Sequence, residues 1–379
     1  MADRKRIALL LAQADEYYQA QFVEGFIGKA FEHNSDVLVF GSYLKYQNNL
    51  GRETGETSIF TLVPFETNLS ASEIAERLVF TGAVALIHSA QYAEKAQAVH
   101  DELLVYHQLF DIYNVYEGLN NLKTVNDHPG EAVSVDKAII DLLLDCKAYY
   151  ELTGGRVNAA MGSVLRLWHE AREDGLNDFA NAYLPDGEAL AQAAEHADWD
   201  DVLIDEEKLT VTITDPGLRL DVGAIAKGWS VQRAAETAPE GLLISVGGNV
   251  CATGPKDSTG TPWVVGVQDP DGGENYLHTL YLTKGSMVTS GDYQRAYMVD
   301  GEIYHHIIDP DTLYPGRLWR AVTVVCPDSG LADALSTALF LLPQDAGQRL
   351  LDACESEAMW IDAEGKMYYS AGFEELIRT

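Results

Sequence analysis

Apolar and polar positions divide this chain into two kinds of segment. Near the start, a continuous apolar run from Ile7 to Ala12 is followed by Tyr18, Phe22, Phe26, Ala30 and Phe31 at helical spacing, and then by a second run from Val37 to Phe40. That order predicts strand, helix, strand, since a short unbroken apolar run suits a buried strand and a three-to-four-residue recurrence lines one helix face. From about residue 77 the pattern changes to long helices alternating with strands. Val99, Leu103, Tyr106, Phe110 and Tyr113 form one helical stripe, and Ile139, Leu142, Cys146 and Tyr149 form another. Strands are expected at 202–204, 209–213, 242–246, 263–267, 277–282 and 322–326, joined by turns such as Asp269-Pro270-Asp271-Gly272-Gly273. A helix over about 331–342 and a hairpin around Asp362-Ala363-Glu364-Gly365 close the chain. Strands gathered in the second half, with helices before and after, predict an α+β architecture. The change of pattern divides it into an N-terminal α/β fragment, residues 1–75, and a larger domain, residues 76–379.

Composition narrows the partners. Lys and Arg number 26 against 58 Asp and Glu, so the formal charge is 26 − 58 = −32. A surface this acidic repels phosphate backbones and anionic lipid headgroups, which argues against nucleic acid and membrane surfaces. An anionic dinucleotide would meet the same repulsion unless a cation or backbone N–H groups screened it, which favours a metal-assisted site. The cysteines, Cys146, Cys251, Cys326 and Cys354, are scattered and suggest neither a zinc site nor a disulfide framework. The run Ile7 to Ala12 is too short for the core of a signal peptide and no cysteine follows to take a lipid, so a cytoplasmic location is expected. No stretch approaches the ~20 apolar residues of a transmembrane segment.

Candidate chemistry lies in four places. Leu220-Asp221-Val222-Gly223-Ala224-Ile225-Ala226-Lys227-Gly228 joins an expected strand to a helix expected to start near Ala224, offering free N–H groups, a positive helix end and a lysine to an anion; taken alone it reads more simply as an ordinary strand-to-helix connection with a surface lysine. Gly247 and Gly248 end an apolar strand and either let a flat ligand approach or simply make a turn, and Ser290 and Asp292 flank a further glycine break. His305 and His306 precede Asp309; of two adjacent strand residues at most one faces a given site, and a histidine near an aspartate suits a general base. Asp333 and Thr337, four apart on the last long helix, project together as hard oxygen donors suited to Mg²⁺, or else are a helix-end acid and a threonine bonded back to its own helix.

Five ordered motifs together resemble the ApbE-type FAD:protein FMN transferase family: Asp-Val-Gly-Ala-Ile-Ala-Lys-Gly at 221–228, Val-Gly-Gly-Asn at 246–249, Thr-Ser-Gly-Asp-Tyr at 289–293, His-Ile-Ile-Asp-Pro at 306–310 and Ala-Asp-Ala-Leu-Ser-Thr at 332–337. The resemblance runs from about residue 77 to the C-terminus. It implies an enzyme that takes FAD as substrate, holds Mg²⁺ against its pyrophosphate, and transfers FMN to a threonine or serine of an acceptor flavoprotein with release of AMP. It further implies metal ligation by the Ala224 carbonyl, Asp333 and Thr337, flavin and phosphate contacts from Tyr113, Arg156, Val157, Asn158, Asp221, Lys227, Gly247, Gly248, Ser290, Asp292, His306 and Ile307, and His306 as the base. Two segments depart from the family pattern: Phe80-Thr81-Gly82-Ala83 stands where a Gly-Thr or Asp-Thr pair is usual, and Asp309-Pro310-Asp311-Thr312-Leu313 replaces Asp-Pro-x-Thr-Gly. Residues 5–75 resemble the opening of LacI-type periplasmic-binding-like sensor domains through Arg6 to Leu10, Gln21 to Phe26 and Asp36 to Phe40. The rival functions are an FAD pyrophosphatase, with water as acceptor, and a non-catalytic flavin carrier or sensor.

Overall fold

The structure, a computed structural model, describes residues 5–11, 35–41, 84–87, 93–272 and 276–378. Along it come β1 (Lys5–Leu11), β2 (Ser35–Gly41), β3 (Val84–Ile87), α1 (Ala93–Phe110), α2 (Leu122–Asp127), β4 (Val133–Ser134), α3 (Lys137–Leu152), α4 (Gly162–Asn177) and α5 (Gly187–Ala194). Next are β5 (Val202–Asp205), β6 (Thr210–Ile213), α6 (Ala226–Thr237), β7 (Leu243–Val246), β8 (Asn249–Ala252), β9 (Trp263–Val267), β10 (His278–Leu282) and β11 (Gly285–Gly291). The chain ends with β12 (Tyr297–Val299), β13 (Glu302–Tyr304), β14 (Ala321–Cys326), α7 (Ser329–Leu341), α8 (Gln344–Cys354), β15 (Glu357–Ile361), β16 (Met367–Tyr369) and α9 (Phe373–Leu376). Helices and mostly antiparallel strands make this the expected α+β class. No helix among the described residues is long and apolar enough to cross a membrane.

Two compact units are present, one of residues 1–105, 230–265 and 281–286, the other of 106–229, 266–280 and 287–379. In the first, strands run in the order β2-β1-β3-β7-β8. β1 and β2 pair in parallel over their full lengths, and β1 pairs antiparallel with β3 at Ala8↔Ile87 and Leu9↔Leu86, so sheet hydrogen bonding continues across the expected boundary at 75. The two N-terminal strands stand where the apolar runs put them; the helix expected between them, and the departure at 80–83, lie outside the described residues. Val99, Leu103, Val231, Ala234, Leu242, Ile244 and Cys251 form this unit's core.

The second unit carries a sheet ordered β11-β14-β15-β16, a small sheet β4-β6-β5 and the β12–β13 hairpin. α7 packs on β14 with Leu335, Leu339 and Phe340 fully buried against Val322, Val324 and Trp360. The stripe Ile139, Leu142 and Cys146 of α3 is buried as its spacing requires. Trp229 packs edge-on to Tyr106 and Phe110 at 5.3 and 5.4 Å and donates its indole N–H to Asp145 at 2.8 Å. Tyr113 falls outside the stripe to which its spacing assigned it: α1 ends at Phe110, and Tyr113 is exposed.

The expected strand ending at Leu220 is not a strand. Only an isolated parallel bridge, Met161↔Arg219, forms there. Leu220 is instead held by the buried side chain of Asn126, whose Nδ2 donates to the Leu220 carbonyl at 2.9 Å while its Oδ1 accepts from the Leu220 N–H at 2.8 Å. One amide thus does the work of a neighbouring strand, at the residue just before Asp221. Replacing it by leucine orphans two buried backbone groups at ~1–3 kcal/mol each. Asn126→Leu is expected to lose about 2–6 kcal/mol in denaturant titration; a shift under ~0.5 kcal/mol would contradict the clamp.

Candidate active site

The site forms where α6 and α7 meet. α6 starts at Ala226, two residues later than the sequence suggested. In a regular helix the Gly228 N–H would bond to the carbonyl of Ala224. Here it donates to Oδ2 of Asp333 at 2.9 Å, and the Ala224 carbonyl accepts no hydrogen bond among the described residues. Asp333 is buried, at 3 % exposure. Lys227 adds its ammonium at 3.3 Å from both Asp333 oxygens and 3.2 Å from the Gly223 carbonyl. A buried carboxylate needs such partners, since without them its desolvation is costly.

Asp333 belongs to the second turn of α7, not to its end. Asp328 caps that helix, accepting from the Leu331 N–H at 2.7 Å. One turn beyond Asp333, the Thr337 hydroxyl makes no hydrogen bond among the described residues; the Asp333 carbonyl is taken by Ser336, whose Oγ donates at 2.9 Å. The self-bonded threonine is therefore excluded. Ser336 Oγ also lies 2.8 Å from Ser290 Oγ, which ties the end of β11 to the same turn of α7.

A hard dication fits this donor set. Among the described residues no group of three or more His, Cys, Asp or Glu side chains could hold a metal. Mg²⁺ does not require one: it takes one or two carboxylates and completes an octahedron with water and substrate phosphate oxygens. The Asp333 carboxylate, the uncommitted Thr337 hydroxyl and the uncommitted Ala224 carbonyl are oxygen donors of that kind, and a cationic group already lies against the carboxylate.

The two histidines separate as expected, although they follow β13 in irregular backbone. His305 is buried, accepts from the Ile307 N–H at Nδ1 and donates from Nε2 to the Gly316 carbonyl at 2.8 Å. Burial pushes its pKa down to about 4. His306 is half-buried, with Nδ1 3.2 Å from the Gln294 carbonyl. A carbonyl only accepts, so the proton is on Nδ1 and the neutral ring keeps its lone pair on Nε2. Burial first, then the charges of Arg295 and Lys227, hold its pKa well below the ordinary 6.5. Asp309 does not partner it: that carboxylate and Asp311 pair with Arg156 at 2.8 and 2.5 Å.

The other expected contacts divide. Asp221 accepts from the Gly223 N–H at 2.9 Å, tightening the turn before α6. Tyr113 keeps 57 % of its surface exposed. Its pKa is nonetheless pushed up to about 12, by burial first and by the Asp221 carboxylate second. Asp292 is half-buried beside Arg320, and burial raises its pKa. Val157 and Ile307 place their side chains in hydrophobic cores. Asn158 bridges the Ala197 carbonyl and the Ala160 N–H, which uses both ends of its amide. Gly247 and Gly248, in the first unit, are the two-residue turn of the β7–β8 hairpin, with φ of 52° and 94° that side chains rarely adopt. Sequence reasoning missed Gly228 and Ser336, although both lie inside motifs it singled out.

The ApbE family profile matches residues 80–360. The chain is 33% identical to the FAD:protein FMN transferase of Treponema pallidum over 278 residues, 68% of this chain and 75% of that protein. With that of Klebsiella pneumoniae it shares 29% identity over 262 residues, 65% of this chain and 78% of the other. The crystal structure of the ApbE protein from Thermotoga maritima superposes with a TM-score of 0.69 at 31% identity, over 78% of this chain and 96% of that one. The chain belongs to the ApbE family.

The meeting of α6 and α7 requires a glycine. A Cβ at Gly228 would lie 2.2 Å from the Ser329 carbonyl oxygen and 2.6 Å from Asp333 Cβ. Gly228→Ala is expected to cost about 1–3 kcal/mol, the usual range for overpacking, and to shift Asp333. Thermal melting that matches the wild type would contradict this contact.

Proposed function

We infer that this protein is an FAD:protein FMN transferase, and that it works with Mg²⁺ bound by Asp333, Thr337 and the Ala224 carbonyl. Transfer of FMN from FAD forms a bond between an acceptor hydroxyl oxygen and the FMN phosphorus and breaks the pyrophosphate P–O bond, so AMP leaves. The observation that carries the metal assignment is the diversion of the Gly228 N–H to Asp333, which frees one backbone carbonyl beside a buried carboxylate. When bound, Mg²⁺ would neutralise pyrophosphate charge and stabilise the departing AMP.

The chain's own groups supply the rest. Lys227 is held by Gly223 and Asp333 and would turn its charge to the phosphate oxygens that gain charge in transfer. His306 would take the proton of the acceptor's threonine or serine at Nε2. Being neutral well below pH 6.5, it is ready as a base at neutral pH without first losing a proton. Tyr113 and Asp221 would border the flavin, and Arg156 would act through the 309–311 turn that it pairs with.

The test is incubation with FAD, Mg²⁺ and a flavin-acceptor domain, followed by mass spectrometry of the acceptor and detection of its fluorescence on a denaturing gel. Asp333→Ala is expected to lower Mg²⁺-dependent FMN transfer by orders of magnitude, because it removes the only carboxylate of the donor set. Wild-type rates in that variant would end the metal assignment. His306→Ala should slow transfer by roughly 10²–10⁴ with FAD binding retained. In the wild type, protonation of His306 on acidification removes the base, so activity falls only as pH drops through its depressed pKa. The acid limb of the pH–rate profile is therefore expected below pH 6.5; a limb above that value would exclude His306.

A further inference from the structure

The turn after α1 is built around one carboxylate. Asp111 accepts from the Tyr113 N–H at 2.6 Å, the Asn114 N–H at 3.0 Å, Asn114 Nδ2 at 2.9 Å and the Tyr116 hydroxyl at 2.8 Å. This construction fixes Tyr113 in the open, where its ring adds little to any core. The ring faces His169 of α4, with centroids 5.0 Å apart and planes inclined by 32°. His169 Nδ1 lies 2.8 Å from Nη2 of Arg172, one turn along the same helix face. A guanidinium only donates, so Nδ1 is the acceptor and the neutral ring carries its proton on Nε2. Burial, helped by the Arg172 charge, lowers the His169 pKa and keeps the ring neutral.

Arg172 is the unusual member. Its side chain is only 15% exposed, and its carboxylate partner, Glu173, is 3.3 Å away and itself 51% exposed. Both of its hydrogen bonds leave from Nη2, so Nε and Nη1 make none among the described residues. Neither nitrogen is sealed from solvent, so both stand open to an acceptor arriving from outside. A ligand acceptor at these N–H groups would take the place of the water that serves them.

We propose that His169 and Arg172 bind the isoalloxazine ring of FAD, His169 extending the aromatic wall begun by Tyr113 and Arg172 meeting the carbonyl edge of the ring. The proposal rests on the reading of the chain as an FAD:protein FMN transferase. Ring chemistry selects between the two flat ends of FAD. The dioxopyrimidine edge of the flavin sets each carbonyl acceptor beside a ring-nitrogen acceptor, a pair that a guanidinium fork can meet with two donors, whereas on adenine the acceptor N1 or N7 stands beside the amino donor, so the fork meets only one acceptor. The Asp221 charge reaches both Tyr113 and His169, and Asp221 opens the segment that leads to Lys227.

The experiment uses the full chain with FMN, ADP and FAD as separate probes, titrated by calorimetry and flavin fluorescence. His169→Ala and Arg172→Gln are each expected to weaken FMN and FAD binding roughly tenfold, a usual scale for one lost aromatic or charged contact, while ADP binding and melting temperature stay as in the wild type. Should either variant melt early, His169→Asn and Arg172→Lys serve in its place. Unchanged FMN affinity in both variants, or ADP weakened as much as FMN, overturns the proposal. A wild-type chain that binds neither FMN nor FAD would overturn the transferase reading itself, and this proposal with it.

Discussion

One hydrogen bond, from the Gly228 N–H to the Asp333 carboxylate, organises the site. It draws the start of α6 against the second turn of α7 so closely that only a glycine fits. It also withdraws from Ala224 the helical partner its carbonyl would otherwise have. The same contact therefore buries a carboxylate, leaves a carbonyl uncommitted, and puts both beside the uncommitted Thr337 hydroxyl's helix turn. Lys227 offsets the charge in the meantime, at distances long enough to make it a weakly held counterion.

The surrounding structure keeps that contact in register. Asn126 fastens Leu220, Trp229 fastens the first turn of α6 through Asp145, and Asp328 caps α7 five residues before Asp333. Ser336 links the α7 backbone to Ser290 at the end of β11. Three of these ties, at Asn126, Trp229 and Ser290, join segments far apart in sequence through a side chain. Breaking the buried Asn126 pair leaves polar groups unpaired, which is more costly than the bonds are favourable.

Periodicity made the long helices and most strands legible, because burial of one face is a local property repeated every turn. It did not mark their ends. Tyr113 continues the spacing of Phe110, but Asp111 captures the following N–H groups and stops the helix. The apolar alternation at Leu218, Leu220 and Val222 is real, and all three are buried; among the described residues only the isolated bridge Met161↔Arg219 pairs with this segment, and Leu220 is held by an asparagine 94 positions away. In the same way Asp309 reads as a partner for His306, whereas the fold delivers Arg156 to it. Spacing put Asp333 and Thr337 on one helix face but left open a helix-end acid and a threonine bonded to its own helix; that the Gly228 N–H completes the Asp333 environment depends on how two helices cross.

The segment from Asp221 to Lys227 is pinned at both ends, by Asn126 at Leu220 and by Asp333 at Gly228. A loop held in this way has already lost its freedom when the chain folds. Ligand arrival then has little local disorder to quench, and the encounter rate is set by diffusion through the field of a strongly acidic protein rather than by waiting for this segment to close.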